Sequence, residues 1–113
     1  MNRGEVWQVQ FDPTVEAEIR KIRPAVIISS NAVGLLPLRV VVPFTAWQPG
    51  FAGAIWMIRV APSPQNGLTK VSAADAFQVK SLSTRRFLNR IGAVTPEELD
   101  AIIRAVGAVI EFP

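Results

Sequence analysis

The chain opens on alternation. Over residues 4–11, Trp7, Val9 and Phe11 interleave with Val6, Gln8 and Gln10, the period-two pattern of a half-buried strand. Asp12-Pro13 predicts a turn, and residues 14–22 are polar. Residues 25–29 form a continuous apolar run, read as an interior strand, and Gly34-Leu35-Leu36-Pro37 leads to a third strand over 39–44. Strands this close in sequence are expected to pair antiparallel. A Gly/Pro-rich loop at 48–53 precedes a fourth strand at 55–60, and loops of that composition often cover sites. After a turn at 62–67 come two short strands, 69–72 and 76–81, one helical turn at 83–87 and a last strand at 91–94.

The pattern then changes period. Thr95-Pro96-Glu97-Glu98 is a helix start, in which Thr caps, Pro takes the first helical position and Glu98 completes a capping box. Leu99, Ile102, Ile103 and Val106 give the helix one apolar face for covering a sheet. Many short strands and one closing helix predict a mainly β fold: a small, strongly bent β-barrel with short helices and a C-terminal helix. At 113 residues, half of them apolar, a single domain spanning 1–113 is expected. Trp7 and Trp56 sit in apolar-patterned strands and are expected in the core, whereas Trp47, beside the Gly-rich loop, could stack on a base or a partner chain.

Composition narrows the chemistry. The chain has no Cys and no His, so thiolate, imidazole and the usual zinc sites are out of reach. Catalysis would fall to carboxylate, hydroxyl, guanidinium or amine. No apolar run approaches the ~18 residues of a membrane span, and a cytoplasmic location is expected. The sequence pI is about 10.2, and the charge is uneven. Eleven of the twelve Lys and Arg fall before Thr95, whereas four of the nine Asp and Glu lie beyond it. A basic body suits a polyanionic partner such as nucleic acid.

Between Glu18 and Asn31 a charged loop runs into an apolar strand, and Arg23 sits at the seam. Pro24 biases Arg23 toward an extended backbone, so the guanidinium leaves the chain at a strand entrance. The next strand ends in Val42-Pro43-Phe44-Thr45. If the two strands are neighbours, Arg23 and Thr45 approach each other. Glu18 is the nearest carboxylate in sequence. Gln78 and Lys80, two residues apart in a predicted strand, should share a face.

In order, Arg3-Gly4-Glu5-Val6-Trp7, Asp12-Pro13-Thr14, Glu18, Arg23-Pro24 with Ser29-Ser30-Asn31, Val42-Pro43-Phe44-Thr45, Gly67-Leu68-Thr69-Lys70, Gln78-Val79-Lys80-Ser81-Leu82 and Ile91-Gly92 resemble the MazF/PemK family of toxin endoribonucleases. The chain departs from the family pattern at Glu16-Ala17, where a Gly-Ser pair is common, and at Ala46, where another hydroxyl residue is frequent.

The resemblance implies an SH3-like barrel of the CcdB/MazF type, a homodimer and a cognate antitoxin. It implies metal-independent cleavage of single-stranded RNA through attack by the 2′-hydroxyl, with no cofactor. Arg23, Thr45 and Glu18 would then be catalytic, and Gln78, Lys80 and Trp47 would contact RNA. Two other readings stay open, a non-catalytic RNA-binding barrel and the gyrase-poison branch of the same fold. That branch grips its target through a Trp-Gly-Ile carboxyl end, where this sequence reads Ile110-Glu111-Phe112-Pro113.

Overall fold

A computed structural model describes residues 1–11 and 21–113. The predicted Asp12-Pro13 turn and Glu18 lie outside the described residues. Within them the strands are β1 (Glu5–Gln10), β2 (Ile22–Ile27), β3 (Leu38–Ala46), β4 (Met57–Val60), β5 (Ser72–Asp75), β6 (Lys80–Ser83) and β7 (Phe87–Ala93), followed by helix α1 (Pro96–Ile110). All pairings are antiparallel, in the order β4-β5-β3-β2-β1-β7, with β6 also paired to β3. The fold is therefore mainly β with one C-terminal helix, as the patterning predicts. No helix among the described residues is long and apolar enough to cross a membrane.

Odd spacing along the strands gives the sheet two apolar faces. Val6, Val26, Val42 and Phe44 pack with Val60, Ala74 and Ile102 of α1, and Leu99 and Val106 add to this core. On the opposite face Val9, Ala25, Ile27 and Val41 pack with Phe87, and Trp7, Phe11 and Leu82 cover them. α1 starts as its sequence dictates. The Thr95 hydroxyl accepts from the Glu98 N–H at 3.0 Å, and the Glu98 carboxylate accepts from the Thr95 N–H at 2.9 Å.

The expected barrel does not close by strand pairing: among the described residues no ladder joins β4 to β7. The 63–67 turn bridges that gap instead. The Ala93 N–H donates to the Gln65 carbonyl at 2.8 Å, and buried Asn66 ties the turn together. Its Oδ1 accepts from the Ser63 and Leu68 N–H groups, and its Nδ2 donates to the Ala61 carbonyl. Backbone meets backbone here, which is why Gly67 (φ +73°) and Gly92 face each other's segments without side chains.

Other boundaries move as well. The predicted strand at 69–72 shifts to β5, and the predicted strand at 76–81 breaks into a 3₁₀ turn at Ala76–Gln78 followed by β6. The cause is Asp75, whose side chain accepts from the Phe77 N–H at 3.1 Å and caps the turn. Trp56 is not core. It precedes β4, is 38% exposed and meets Phe77 edge-on at 6.1 Å between ring centroids. Trp7 is half-buried, with its ring edge-on to Phe87.

Gly92→Ala should destabilise the protein by about 3 kcal/mol in urea unfolding, because its Cβ would run into the Gln65 and Asn66 carbonyl groups. Gly53→Ala, with nothing within 4 Å of the added carbon, should stay within about 0.5 kcal/mol of the parent.

Acid should reveal Glu5. Burial alone would raise its carboxyl, but the Trp7 Nε1–H bond at 2.9 Å, the Asn2 N–H and nearby positive charge, Arg90 included, outweigh burial and hold it below its ordinary 4.5. A depressed folded pKa contributes stability that is present above the unfolded value and lost as pH falls through the folded one. Glu5→Gln should therefore flatten the fall of Tm below about pH 4.5, and an unchanged acid limb would contradict this.

Candidate functional site

The site is organised by where the ladders of β3 stop. On its β2 edge the Ile28 N–H donates to the Val40 carbonyl at 2.9 Å. Hydrogen-bonded positions alternate in an antiparallel pair, so the next fall at Val26 opposite Val42 and then at Pro24 opposite Phe44. Pro24 has no N–H to give, and the ladder ends at Ala25 opposite Pro43. On the other edge the Thr84 N–H donates to the Pro37 carbonyl at 3.0 Å. The same alternation there runs through Arg39 and Val41, paired with Leu82 and Lys80, and reaches Pro43, again without a donor. Beyond Pro43, β3 pairs with β5 instead, Phe44 opposite Ala74 and Thr45 opposite Ala73.

Where β2 and β3 part, the surface opens. Extending the register of Ala25 and Pro43 by two places sets Arg23 across from Thr45. Both residues are half-buried, and both line a cavity of about 560 Å³. The Arg23 side chain makes no hydrogen bond or ion pair with another described residue, so its guanidinium is available to a ligand. The cavity face continues the second apolar layer, with Phe11, Phe51 and Met57 in its walls. Lys21 and Lys80 add positive charge, and the Lys80 ammonium lies 5.6 Å from the centroid of the Phe11 ring.

Gln78 and Lys80 also line this cavity, although not as predicted. Gln78 ends the 3₁₀ turn and Lys80 begins β6, so they are not two residues on one strand face. Trp47 does not line the cavity. It meets Phe51, a lining residue, edge-on with centroids 5.7 Å apart. Glu18 lies outside the described residues. The residue that sequence reasoning missed is Asp75, a half-buried carboxylate in the same wall. Asp is a favoured cap residue, and its position just ahead of the predicted strand at 76–81 could have indicated that the chain turns here.

Chemically, the described residues form a groove with a guanidinium and a hydroxyl from neighbouring strands, flanking ammonium groups, one carboxylate and aromatic walls. Such a set suits a phosphate on a chain that also carries flat rings. Comparison with known proteins agrees. Residues 2–110 match the family of PemK-like, MazF-like toxins of type II toxin-antitoxin systems. The chain is 32% identical to endoribonuclease MazF9 of Mycobacterium tuberculosis over 112 residues, covering 94% of this chain and 92% of that one. It is 31% identical to the endoribonuclease toxin MazF of Escherichia coli, with 95% and 91% covered.

Among solved structures, an endoribonuclease in complex with its cognate antitoxin from a mycobacterial species shares the fold with a TM-score of 0.79 at 20% identity, covering 100% of this chain and 97% of that one. The Mycobacterium tuberculosis toxin MazF-mt6 does so with a TM-score of 0.77 at 20% identity, with 96% and 98% covered. A match over nearly the whole chain, on a fold that brings Arg23 and Thr45 to one groove, assigns the protein to the PemK-like, MazF-like toxins of type II toxin-antitoxin systems.

Proposed function

We propose that the protein is a sequence-preferring, metal-independent endoribonuclease that cuts single-stranded RNA, mRNA in particular, acts as a homodimer in the cytoplasm and is neutralised by a cognate antitoxin. The observation that carries this reading is the convergence of Arg23 and Thr45 on one groove where β2 and β3 separate. The curated relatives named as endoribonucleases support the activity, and a neighbour in complex with its cognate antitoxin supports the partner.

In the reaction the 2′-oxygen attacks the adjacent phosphorus and gives up its proton, and the bond to the 5′-oxygen of the next nucleotide breaks. That oxygen takes a proton and leaves as a 5′-hydroxyl, with a 2′,3′-cyclic phosphate behind it. Negative charge gathers on the non-bridging oxygens. Arg23 offers them parallel N–H donors, and a preorganised donor of this kind is worth about 3 kcal/mol in the transition state. Thr45 donates a hydroxyl to the same group and holds it in line. Asp75 in the cavity wall and Glu18 are the carboxylates that could accept the 2′-proton. Gln78 reads a base edge, Lys80 holds a phosphate, and Trp47, beside Phe51 of the groove wall, stacks on a base.

Arg23→Ala should lower kcat by about 10²–10³-fold and change KM far less. Its unfolding free energy should stay within about 0.5 kcal/mol of the parent, because the side chain bonds to no described residue. A pure RNA binder would show the reverse pattern, weaker binding with no turnover to lose.

Cleavage of a mixed RNA should continue in excess chelator, and end mapping should find cyclic phosphate and 5′-hydroxyl termini. A substrate with deoxyribose at the cut site should be inert. If that substrate is cut, the mechanism is wrong.

A further inference from the structure

A second cavity, of about 330 Å³, adjoins the first and shares Lys21, Arg23, Phe44 and Thr45 with it. The two are lobes of one groove, and the Arg23–Thr45 pair is the saddle between them. The first lobe runs toward Gln78 and Lys80 and holds Asp75. The second runs the other way, to Lys70 and Ser72, and among the described residues no carboxylate lines it.

Lys70 is exposed, and its ammonium bonds to no described residue. Its backbone, by contrast, is held. The Ser72 hydroxyl donates to the Lys70 carbonyl at 3.0 Å, and Ser72 is 3% exposed. The Trp47 N–H donates to the Val71 carbonyl at 3.1 Å, and the segment is anchored upstream by the Asn66 turn. An exposed ammonium on a held backbone, at the end of a lobe with no carboxylate among the described residues, is placed to meet an anion beyond the saddle. Ile22, 48% exposed in the same lobe, offers an apolar surface to a sugar or base between them.

We propose that the second lobe is a nucleotide subsite of the groove, in which Lys70 holds the backbone phosphate next to the scissile one on the side away from Lys80. The inference rests on the endoribonuclease reading. It adds that the strand is gripped on both sides of the cut, by Lys80 in one lobe and Lys70 in the other. Lys70 positions the strand without reading sequence, since an ammonium on a phosphate carries no base information.

The test uses the full chain and a 2′-deoxy-substituted RNA oligonucleotide, with binding followed by fluorescence anisotropy across a salt series. Lys70→Ala should weaken binding about 5- to 10-fold at low salt. It should also make the slope of log K against log salt shallower by about 0.7, the loss of one phosphate contact on a single strand. Replacing the flanking phosphates one at a time by neutral methylphosphonates should identify one linkage whose neutralisation weakens the parent but not Lys70→Ala. Lys70→Arg should restore most of the affinity and the slope.

With cleavable RNA, Lys70→Ala should raise KM and leave kcat within about 3-fold, as expected for a contact held equally in ground and transition states. The control is Arg104→Ala on the outer side of α1, where Arg104 already pairs with Asp100. It should change none of these quantities. An unchanged slope in Lys70→Ala, or equal sensitivity to every methylphosphonate in both proteins, overturns the subsite. Because binding is measured without cleavage, loss of the subsite is distinguishable from loss of the nuclease reading, which would appear as a parent protein that binds but does not cut.

Discussion

Two missing N–H groups shape this molecule. Pro24 falls where the β2–β3 ladder requires its next donor, and Pro43 falls where the β3–β6 ladder does. Proline inside a sheet is ordinarily confined to edges, strand starts and bulges. Here the two residues create such edges inside the fold. β3 is left to pair with β2 and β6 along its first half and with β5 along its second. The sheet bends at that point, and the groove is the space left between its two parts.

The same break decides which side chains meet. Arg23 and Thr45 lie just beyond the last β2–β3 pair, on the face that carries Val9, Ala25, Ile27 and Val41. α1 covers the other face, so the groove face owes its apolar floor to Trp7, Phe11, Phe87 and Leu82 rather than to a helix. The hydrocarbon layer of this face borders the cavity that Lys21, Arg23 and Lys80 line. A phosphate drawn by these cations meets apolar walls with a lower effective dielectric than water, where each donor counts for more than it would in open solvent.

Much of this was legible in the sequence, because the relevant signals are local. Alternation marked β1, the Thr95-to-Glu98 box marked α1, and Arg23-Pro24 marked a strand entrance. The first two are periodic or capping signals, which depend on neighbours two or three residues away. What was not legible depended on distant backbone. The 3₁₀ turn at Ala76–Gln78 follows from the Asp75 cap and from the way the chain must leave β5, so Gln78 and Lys80 reached the groove by a different route from the one their spacing implied. Asp75 became visible as a groove residue only once β4, β5 and the turn were assembled. Trp56 looked like core because its neighbours are apolar. It is exposed because β4 begins one residue later.

The central claim is that one guanidinium and one hydroxyl act together on a single phosphodiester. A double-mutant cycle on RNA turnover tests it most directly, with Arg23→Ala, Thr45→Val and the pair compared at saturating substrate. Groups that act as a unit are strongly non-additive, so the account predicts a double variant little slower than Arg23→Ala alone. If the two losses multiply in full, Arg23 and Thr45 serve separate steps or separate phosphates, and the account of this groove is wrong.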